Sequence, residues 1–251
     1  MSDYYKGNAI YDELSRVNHN FIWATGNAWL LIYGDKKSNP KVFTLVVGKS
    51  WKKQLDIIKA LKFISSKTSI PFFLIKFNDE KESSIDKIAF ISSIEKKKDI
   101  ITLDELKNKF INVGLDIKFA KSHKYLNDKE SSLYHKWQRN ELGYNITVSD
   151  VDLIRINKKT GEPTEFIELK RSYIEVDKWF PYSDDFANFN LIYNTIAPST
   201  NINFNILYNQ RLTRPSFIDK HNPVSIFSYT PDKPTIIARK ISFQNFVDKE
   251  Y

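Results

Sequence analysis

Cysteine is absent from the chain of 251 residues, and histidine occurs only four times. Without cysteine, the chain cannot form a disulfide or a thiolate metal site. The histidines are scattered, at His19, His123, His135 and His221, and their spacing does not match that of a zinc site. These absences exclude disulfide-stabilised scaffolds and zinc proteins that depend on Cys and His ligands.

Long hydrophobic runs are absent as well. No apolar stretch approaches the roughly 20 residues that a helix needs to cross a bilayer. The N-terminus also lacks a basic region followed by an apolar one. Hydrophobic residues nevertheless make up 41% of the chain, which is enough for a full core. We therefore expect a soluble, cytoplasmic protein with no membrane partner, built from one large domain or two small ones.

The net charge of +8 is unevenly distributed along the chain. Residues 1–125 contain 22 Lys and Arg against 14 Asp and Glu, whereas residues 126–251 contain 16 of each kind. The first part therefore carries the whole positive excess. Such an excess is typical of proteins that bind a polyanion, although a lysine-rich surface that only serves solubility would give the same count.

Two stretches alternate between polar and apolar residues and predict a hairpin, at 149–154 and 165–171. Side chains two positions apart lie on the same face of a strand, so Asp150 pairs with Asp152 and Glu168 with Lys170. The segment 157–163 between the stretches has the composition of a turn. The predicted hairpin places acids and a lysine side by side, a set typical of divalent-metal hydrolases.

The elements predicted around this hairpin form an α/β unit, and the first part of the chain predicts the same order. In the second part they are a helix at 130–142, a helix at 184–196, strands at 202–208, 225–229 and 235–239, and a helix at 243–247. In the first part they are a helix at 9–17, strands at 21–25, 27–33 and 42–47, a helix at 51–65, strands at 71–77, 88–91 and 100–102, and a helix at 103–113.

The two parts also resemble each other in sequence, which indicates an internal duplication. The turn Asp-Lys-Lys-Ser-Asn at 35–39 aligns with Asn-Lys-Lys-Thr-Gly at 157–161. In this alignment the charged residues of the hairpin have no counterpart in the first copy: Leu30 stands at the position of Asp152, Val46 at that of Glu168 and Gly48 at that of Lys170. The alignment therefore predicts a degenerate first copy and a second copy that holds the site.

The charged residues of the hairpin resemble a known motif. Asp152 in Val-Asp-Leu-Ile, with Glu168 and Lys170 in Ile-Glu-Leu-Lys-Arg, is similar to the signature of the PD-(D/E)xK, or restriction-endonuclease-like, nuclease superfamily. The resemblance covers residues 126–210, and Val151 replaces the nominal proline. It implies a fold in which a helix, three strands, a helix and a strand are arranged around a central mixed sheet.

We accordingly predict an α/β protein of two tandem restriction-endonuclease-like units, each a mixed sheet flanked by helices. Residues 1–125 would form a basic, degenerate unit for nucleic-acid binding or docking, and residues 126–251 the nuclease domain. A deletion of the first unit that still bound DNA with unchanged salt dependence would contradict this division of roles.

The resemblance also implies the chemistry of the site. Asp152, Glu168 and the backbone carbonyl of Leu169 would bind Mg²⁺, for which Mn²⁺ would substitute, because hard cations prefer oxygen ligands. Lys170 would hold the attacking water and stabilise negative charge that develops on the phosphate. Glu130, in the preceding helix, resembles a further catalytic acid of the superfamily. The expected activity is Mg²⁺-dependent cleavage of DNA, as in a restriction or defence endonuclease.

Several alternatives remain open from the sequence. Asp150 is either a further ligand or a bystander, and Glu141 competes with Glu130 for the role of the helix acid. Basic side chains that could line a substrate path, or that are only solvated charges, are Arg139, Lys178, Arg211 and Arg214. Arg171 points away from the face of Glu168 and would be a surface residue or a phosphate contact. The chain could instead be an RNase, a nuclease subunit of a larger defence or repair complex, or a non-catalytic nucleic-acid-binding protein. With one site per chain, cutting both strands would need a homodimer, a partner subunit or two events.

Overall fold

The computed structural model describes residues 8–17, 20–77, 87–93, 98–118, 132–198, 200–212 and 218–251. Within these residues the chain forms two mixed sheets of six strands each, together with six α-helices. In chain order the elements are α1 (Ala9–Leu14), β1 (Phe21–Ile22), β2 (Ala28–Asp35), β3 (Pro40–Val47), α2 (Leu55–Thr68), β4 (Phe72–Lys76), β5 (Lys87–Ser92), β6 (Lys98–Thr102), α3 (Leu103–Asn112), α4 (Leu133–Glu141), β7 (Ile146–Asp150), β8 (Leu153–Ile156), β9 (Pro163–Ser172), α5 (Phe186–Ile196), β10 (Asn203–Arg211), β11 (Asp219–Thr230), β12 (Lys233–Ile241) and α6 (Phe243–Asp248). The predicted α/β class is confirmed.

The two sheets share one topology. The first has the strand order β6-β5-β4-β3-β2-β7, and the second has β12-β11-β10-β9-β8-β1. In each sheet the two strands joined by a helix, β3 with β4 and β9 with β10, run parallel, and all other neighbours are antiparallel. This correspondence of pairing supports the duplication inferred from the sequence.

Each half of the chain contributes a strand to the sheet of the other half. β1 pairs with β8, with Phe21 opposite Arg155, and β7 pairs with β2, with Asp150 opposite Leu31. The helix before each of these strands packs on the same sheet as the strand. α1 therefore packs on the second sheet and α4 on the first. The division into functional domains at residue 125 stays a prediction. Each sheet, however, contains strands from both sides of that boundary.

The core has three parts, which fix the order of the layers. One apolar cluster lies between the sheets and includes side chains of α2 and α5. A second covers the outer face of the first sheet and includes α3 and α4, and a third covers the outer face of the second sheet and includes α1 and α6. The molecule therefore alternates helices and sheets in five layers, and the central strands are covered on both faces.

This burial explains the composition of the strands. Residues 28–34 of β2 are all buried, and they are almost all apolar because neither face meets water. The turns after β2 and β8 are also alike. The Asp35 carboxylate accepts from the N–H of Lys37 at 2.9 Å, and the Asn157 side chain accepts from the N–H of Lys159 at 2.8 Å. Both turns therefore use an Asx side chain to fix the backbone, as the aligned turn sequences suggest.

The second sheet contains a buried ion pair. Arg155 Nε lies 2.6 Å from Glu165 Oε2, and the two side chains are 3% and 0% exposed. The guanidinium also donates to the carbonyls of Phe246 and Val247 at 2.9 Å each, and it faces the Phe21 ring. These bonds fasten α6 to the sheet. Because a buried charge without its partner is costly, removing only one member of the pair should destabilise the fold.

Most predicted elements are present, with ends shifted by a few residues. The helix expected at 130–142 begins at Leu133, where the Ser132 hydroxyl caps it by accepting from the N–H of His135. The helix expected at 51–65 spans Leu55–Thr68. Across the described residues, no helix has the length and apolar character needed to span a membrane.

Candidate active site

Asp152 lies where the chain passes from one sheet to the other. β7 ends at Asp150 in the first sheet, the N–H of Val151 donates to the Leu30 carbonyl at 2.9 Å, and β8 begins at Leu153 in the second sheet. The prediction of one continuous strand over 149–154 is therefore wrong. Alternation alone cannot reveal this crossover, because both parts of the stretch are strands.

The Asp152 carboxylate is held by the neighbouring strand and by the N-terminal helix. Oδ2 accepts from the backbone N–H of Leu169 at 2.7 Å, and Oδ1 accepts from the Tyr11 hydroxyl at 3.2 Å. Tyr11 belongs to α1, which reaches this site only because α1 packs on the second sheet. The role of Tyr11 is not evident from the sequence, because no local pattern shows which sheet a helix will cover.

Glu168 and Lys170 share the face of β9 that points between the sheets. Lys170 Nζ lies 3.0 Å from Glu168 Oε1, with the side chains 25% and 7% exposed. The other oxygen, Glu168 Oε2, is buried and has no hydrogen-bond partner among the described residues. Lys170 Nζ also lies 3.5 Å from Asp185 Oδ2, at the start of α5. The structure thus confirms the proximity of Glu168 and Lys170 and adds Asp185, an acid that is not among the residues predicted from the sequence.

The charges of these groups depend on one another. Burial raises the pKa of Asp152 to about 7, and the nearby Asp150 carboxylate adds to this rise. Burial likewise raises the pKa of Glu168 well above its ordinary value, although Lys170 opposes this. Burial lowers the pKa of Lys170, but the carboxylates of Glu168 and Asp185 outweigh it and raise that pKa overall. Lys170 is therefore an ammonium group at neutral pH, and it acts as a hydrogen-bond donor rather than as a base.

The corresponding face of the first sheet is apolar. The strand pairs align Leu30 with Asp152, Leu45 with Glu168 and Val47 with Lys170. The predicted counterparts Val46 and Gly48 are wrong by one residue, and in a strand a one-residue shift moves a side chain to the opposite face. The three apolar side chains are 2%, 0% and 1% exposed. The first copy therefore lacks the charges, as predicted, and fills their place with core side chains.

The remaining predicted residues have different outcomes. Glu130 lies outside the described residues, so its role stays a prediction. Its alternative, Glu141, is on α4 above the other sheet, where Lys107 binds it at 3.1 Å. Asp150 lies in β7 and acts on Asp152 and Glu168 through its charge. The Leu169 carbonyl, in β9 between Glu168 and Lys170, stays a prediction as a metal ligand.

A divalent cation would suit these donors only if further ligands completed its coordination shell. Among the described residues, no three His, Asp or Glu side chains are grouped as a metal site. Asp152 and Glu168 nevertheless bring two carboxylates together, and Glu168 Oε2 is a buried acceptor without a partner. Mg²⁺ commonly binds one or two carboxylates and completes its shell with waters and substrate phosphate. The site has the composition expected of such a centre.

Comparison with known proteins gave no relative: no family model, no curated protein and no solved structure matches this chain.

Proposed function

We propose that the protein is a Mg²⁺-dependent nuclease that hydrolyses phosphodiester bonds, with DNA as the first substrate to test. The observation that carries this proposal is the contrast between the copies. The second copy maintains two buried carboxylates beside an ammonium group, where the first has Leu30, Leu45 and Val47. Burying charge is costly, and a site that retains it against an apolar alternative indicates a function.

In this proposal Asp152 and Glu168 hold the cation, and the Leu169 N–H and the Tyr11 hydroxyl orient Asp152. Bound Mg²⁺ would polarise the phosphate and lower the pKa of a bound water. Lys170, kept protonated by its acidic neighbours, donates a hydrogen bond to the attacking water or to a phosphate oxygen. Its charge then stabilises the negative charge of the transition state.

The arrangement of strands around the site supports a restriction-endonuclease-like unit. β8 and β9 are antiparallel, α5 follows, and β10 returns parallel to β9. A further strand, β1, lies beyond β8 and is preceded by α1. This is the sequence of elements that the superfamily would provide, except that the first helix and strand come from the other half of the chain. The proposed tandem units are therefore interlocked rather than separate.

The decisive experiment is incubation of the purified protein with supercoiled plasmid, linear DNA and RNA, with MgCl₂ or with EDTA. We expect Mg²⁺-dependent cleavage by wild type and a loss of roughly 10²–10³-fold in Asp152→Ala, as when an essential electrostatic group is removed. Asp56→Ala is the matched control, because Asp56 is 67% exposed on α2 and its ion pair among the described residues is with a surface lysine. Equal cleavage by wild type and Asp152→Ala would refute the proposal.

One observation favours a second candidate, a non-catalytic nucleic-acid-binding protein. Lys170 is already engaged by Glu168 and Asp185, so the cluster is partly neutralised without any cation. The net charge of +8 would by itself provide affinity for a polyanion. This candidate predicts binding that Mg²⁺ leaves unchanged and no cleavage of any substrate in the panel.

A further inference from the structure

Exposed aromatic side chains are concentrated in the segment that follows β9. Among the described residues, four Phe, Tyr or Trp side chains are strongly exposed, and three of them lie within residues 173–182. These three are Tyr173, Phe180 and Tyr182, which are 70%, 42% and 49% exposed, and the fourth is Tyr144. We call residues 173–182 the aromatic segment. Such a concentration of exposed rings indicates a surface that contacts another molecule.

The aromatic segment is a feature of the second copy. It belongs to the connection between β9 and α5, residues 173–185, whereas the corresponding connection between β3 and α2 is the shorter stretch 48–54. The aromatic residue of that shorter stretch, Trp51, packs half-buried against the core. In open α/β sheets, ligands bind at the carboxyl ends of parallel strands, which is where this connection begins. The copy that carries the buried charges therefore also carries the longer, aromatic connection.

The aromatic segment is held firmly on the sheet. The side chains of Gln210, Ser225 and Arg239 donate to its carbonyl groups at 3.2, 2.8 and 3.1 Å. Its buried ring, Trp179, stacks on Tyr208 of β10 with centroids 4.2 Å apart and planes 3° apart. The exposed rings are therefore mounted on a fixed frame, which lowers the cost of ordering them when a ligand binds.

Tyr182 is the exposed ring nearest to the candidate active site along the chain. Its ring contacts that of Trp179 edge to face, with centroids 6.0 Å apart. Its carbonyl accepts from the N–H of Asp185 at 3.1 Å, and one such 3₁₀ turn rises only about 6 Å. The Asp185 carboxylate lies 3.5 Å from Lys170 Nζ. Tyr182 thus stands one turn away from a side chain that contacts the proposed catalytic lysine.

An exposed tyrosine ring next to a centre for phosphodiester bonds is suited to stack on a nucleobase. Every base has a flat aromatic face, so stacking tolerates any sequence, and it contributes about 1–3 kcal/mol per base. In a duplex the faces of each base are covered by its neighbours in the stack, so an unpaired base is the one that can offer a face. The net charge of +8 attracts the phosphate backbone of either form. The ring therefore adds a preference for the single strand.

We infer that Tyr182 is a stacking platform for an unpaired nucleobase, so that the substrate class of the candidate site is single-stranded nucleic acid. This inference rests on the proposed nuclease function for its biological meaning, but its test is a binding measurement without cleavage. The platform reads no sequence, because every base stacks on a ring.

The test measures binding of a labelled DNA oligonucleotide by fluorescence anisotropy in EDTA at one salt concentration, as a single strand and as a duplex of the same sequence. Wild type should bind the single strand more tightly. Tyr182→Ala should weaken single-strand binding about tenfold and leave duplex binding unchanged, whereas Tyr182→Phe keeps the ring and should retain wild-type affinity. Tyr144→Ala is the matched control, with wild-type affinity expected. Tyr144 is 53% exposed, and it precedes β7 at the end of that strand opposite to Asp150.

Thermal melting identifies variants that fail to fold. If Tyr182→Ala is one of them, Tyr182→Leu replaces it with the same expected loss, because leucine fills the space beside Trp179 without an aromatic face. Wild-type affinity for the single strand in the folded variant would overturn the platform. So would an equal loss for the duplex or in Tyr144→Ala, or tighter binding of the duplex by wild type.

The result is separable from that of the cleavage assay. Cleavage by wild type together with normal single-strand binding by Tyr182→Ala would remove the platform and leave the nuclease proposal standing. Loss of single-strand binding in Tyr182→Ala without any cleavage by wild type would leave the platform standing and remove the nuclease proposal.

Discussion

Replacing Asp152 by asparagine should make the metal-free protein more stable at alkaline pH. The pKa of this carboxyl is raised from 3.8 to about 7 by burial and by the nearby Asp150. Below about pH 4 the group is protonated in both the folded and the unfolded protein, so its ionisation does not affect the free energy of unfolding. As the pH rises toward 7, the unfolded chain ionises first, and the free energy of unfolding falls.

The size of this fall in the free energy of unfolding follows from the size of the pKa shift of Asp152. A change of about three pKa units corresponds to roughly 4 kcal/mol, fully developed above pH 7. About 3 kcal/mol of this lies between pH 5 and pH 8. Asparagine stays neutral throughout and should remove this part of the pH dependence.

Asparagine also fits the existing hydrogen bonds. Its side-chain oxygen can accept from the Leu169 N–H, which now donates to Oδ2. Its NH₂ group can then donate to the Tyr11 hydroxyl, which rotates to accept instead of donating. Each of the two existing hydrogen bonds therefore keeps a donor and an acceptor, so the substitution chiefly changes the charge.

The assay is urea unfolding in EDTA at about pH 5 and about pH 8, chosen to bracket the folded-state pKa. Between these two pH values, the free energy of unfolding should fall by about 3 kcal/mol more in wild type than in Asp152→Asn. Adding MgCl₂ at the higher pH should restore part of the free energy that wild type loses. Asp177→Asn is the control, because Lys240 lowers the pKa of Asp177, so the stability this group contributes is lost as the pH falls. Equal pH dependence of wild type and Asp152→Asn would refute the reasoning.

Three further substitutions test other contacts. Lys170→Ala should reduce Mg²⁺-dependent cleavage by roughly 10²–10³-fold while DNA binding persists; wild-type turnover would exclude the assigned role. Tyr11→Phe should raise the Mg²⁺ concentration needed for half-maximal cleavage by about tenfold or more, since a hydrogen bond that orients the ligand is lost. The control is Tyr134→Phe, on the helix above the other sheet, which should leave this Mg²⁺ concentration unchanged. An equal rise in both variants would contradict a role for the hydrogen bond between Tyr11 and Asp152. Arg155→Ala should lower the free energy of unfolding by about 3–5 kcal/mol in urea, because Glu165 stays buried without its cation; a loss below about 1 kcal/mol would show that the pair is dispensable.

Local patterns in the sequence were sufficient to predict part of the side-chain arrangement at the candidate site. Alternation placed Glu168 and Lys170 on one face of a strand, and this is confirmed by their ion pair. The matching turns at 35–39 and 157–161 correctly indicated two similar hairpins. These features depend on neighbours along the chain, so the sequence carries them directly.

The errors concern relations between distant segments. The break between Asp150 and Leu153 follows from the pairing of β7 with β2, more than a hundred positions away in the chain. Val46 was aligned with Glu168 from sequence similarity alone, whereas the strand ladders align Leu45. Asp185 could have been suspected, because an acid just before a helix that follows the motif strand can point back at the lysine. Tyr11 offered no such signal.

The exchange of a helix and a strand between the halves bears on why a copy without the charges of the candidate site persists. α1 and β1 complete the second sheet, and α4 and β7 complete the first. Neither half can therefore be removed without leaving the other short of an edge strand and a covering helix. The half that lacks the buried charges of the candidate site is a permanent part of the scaffold of the other half, and separately produced half-chains 1–125 and 126–251 should bind each other.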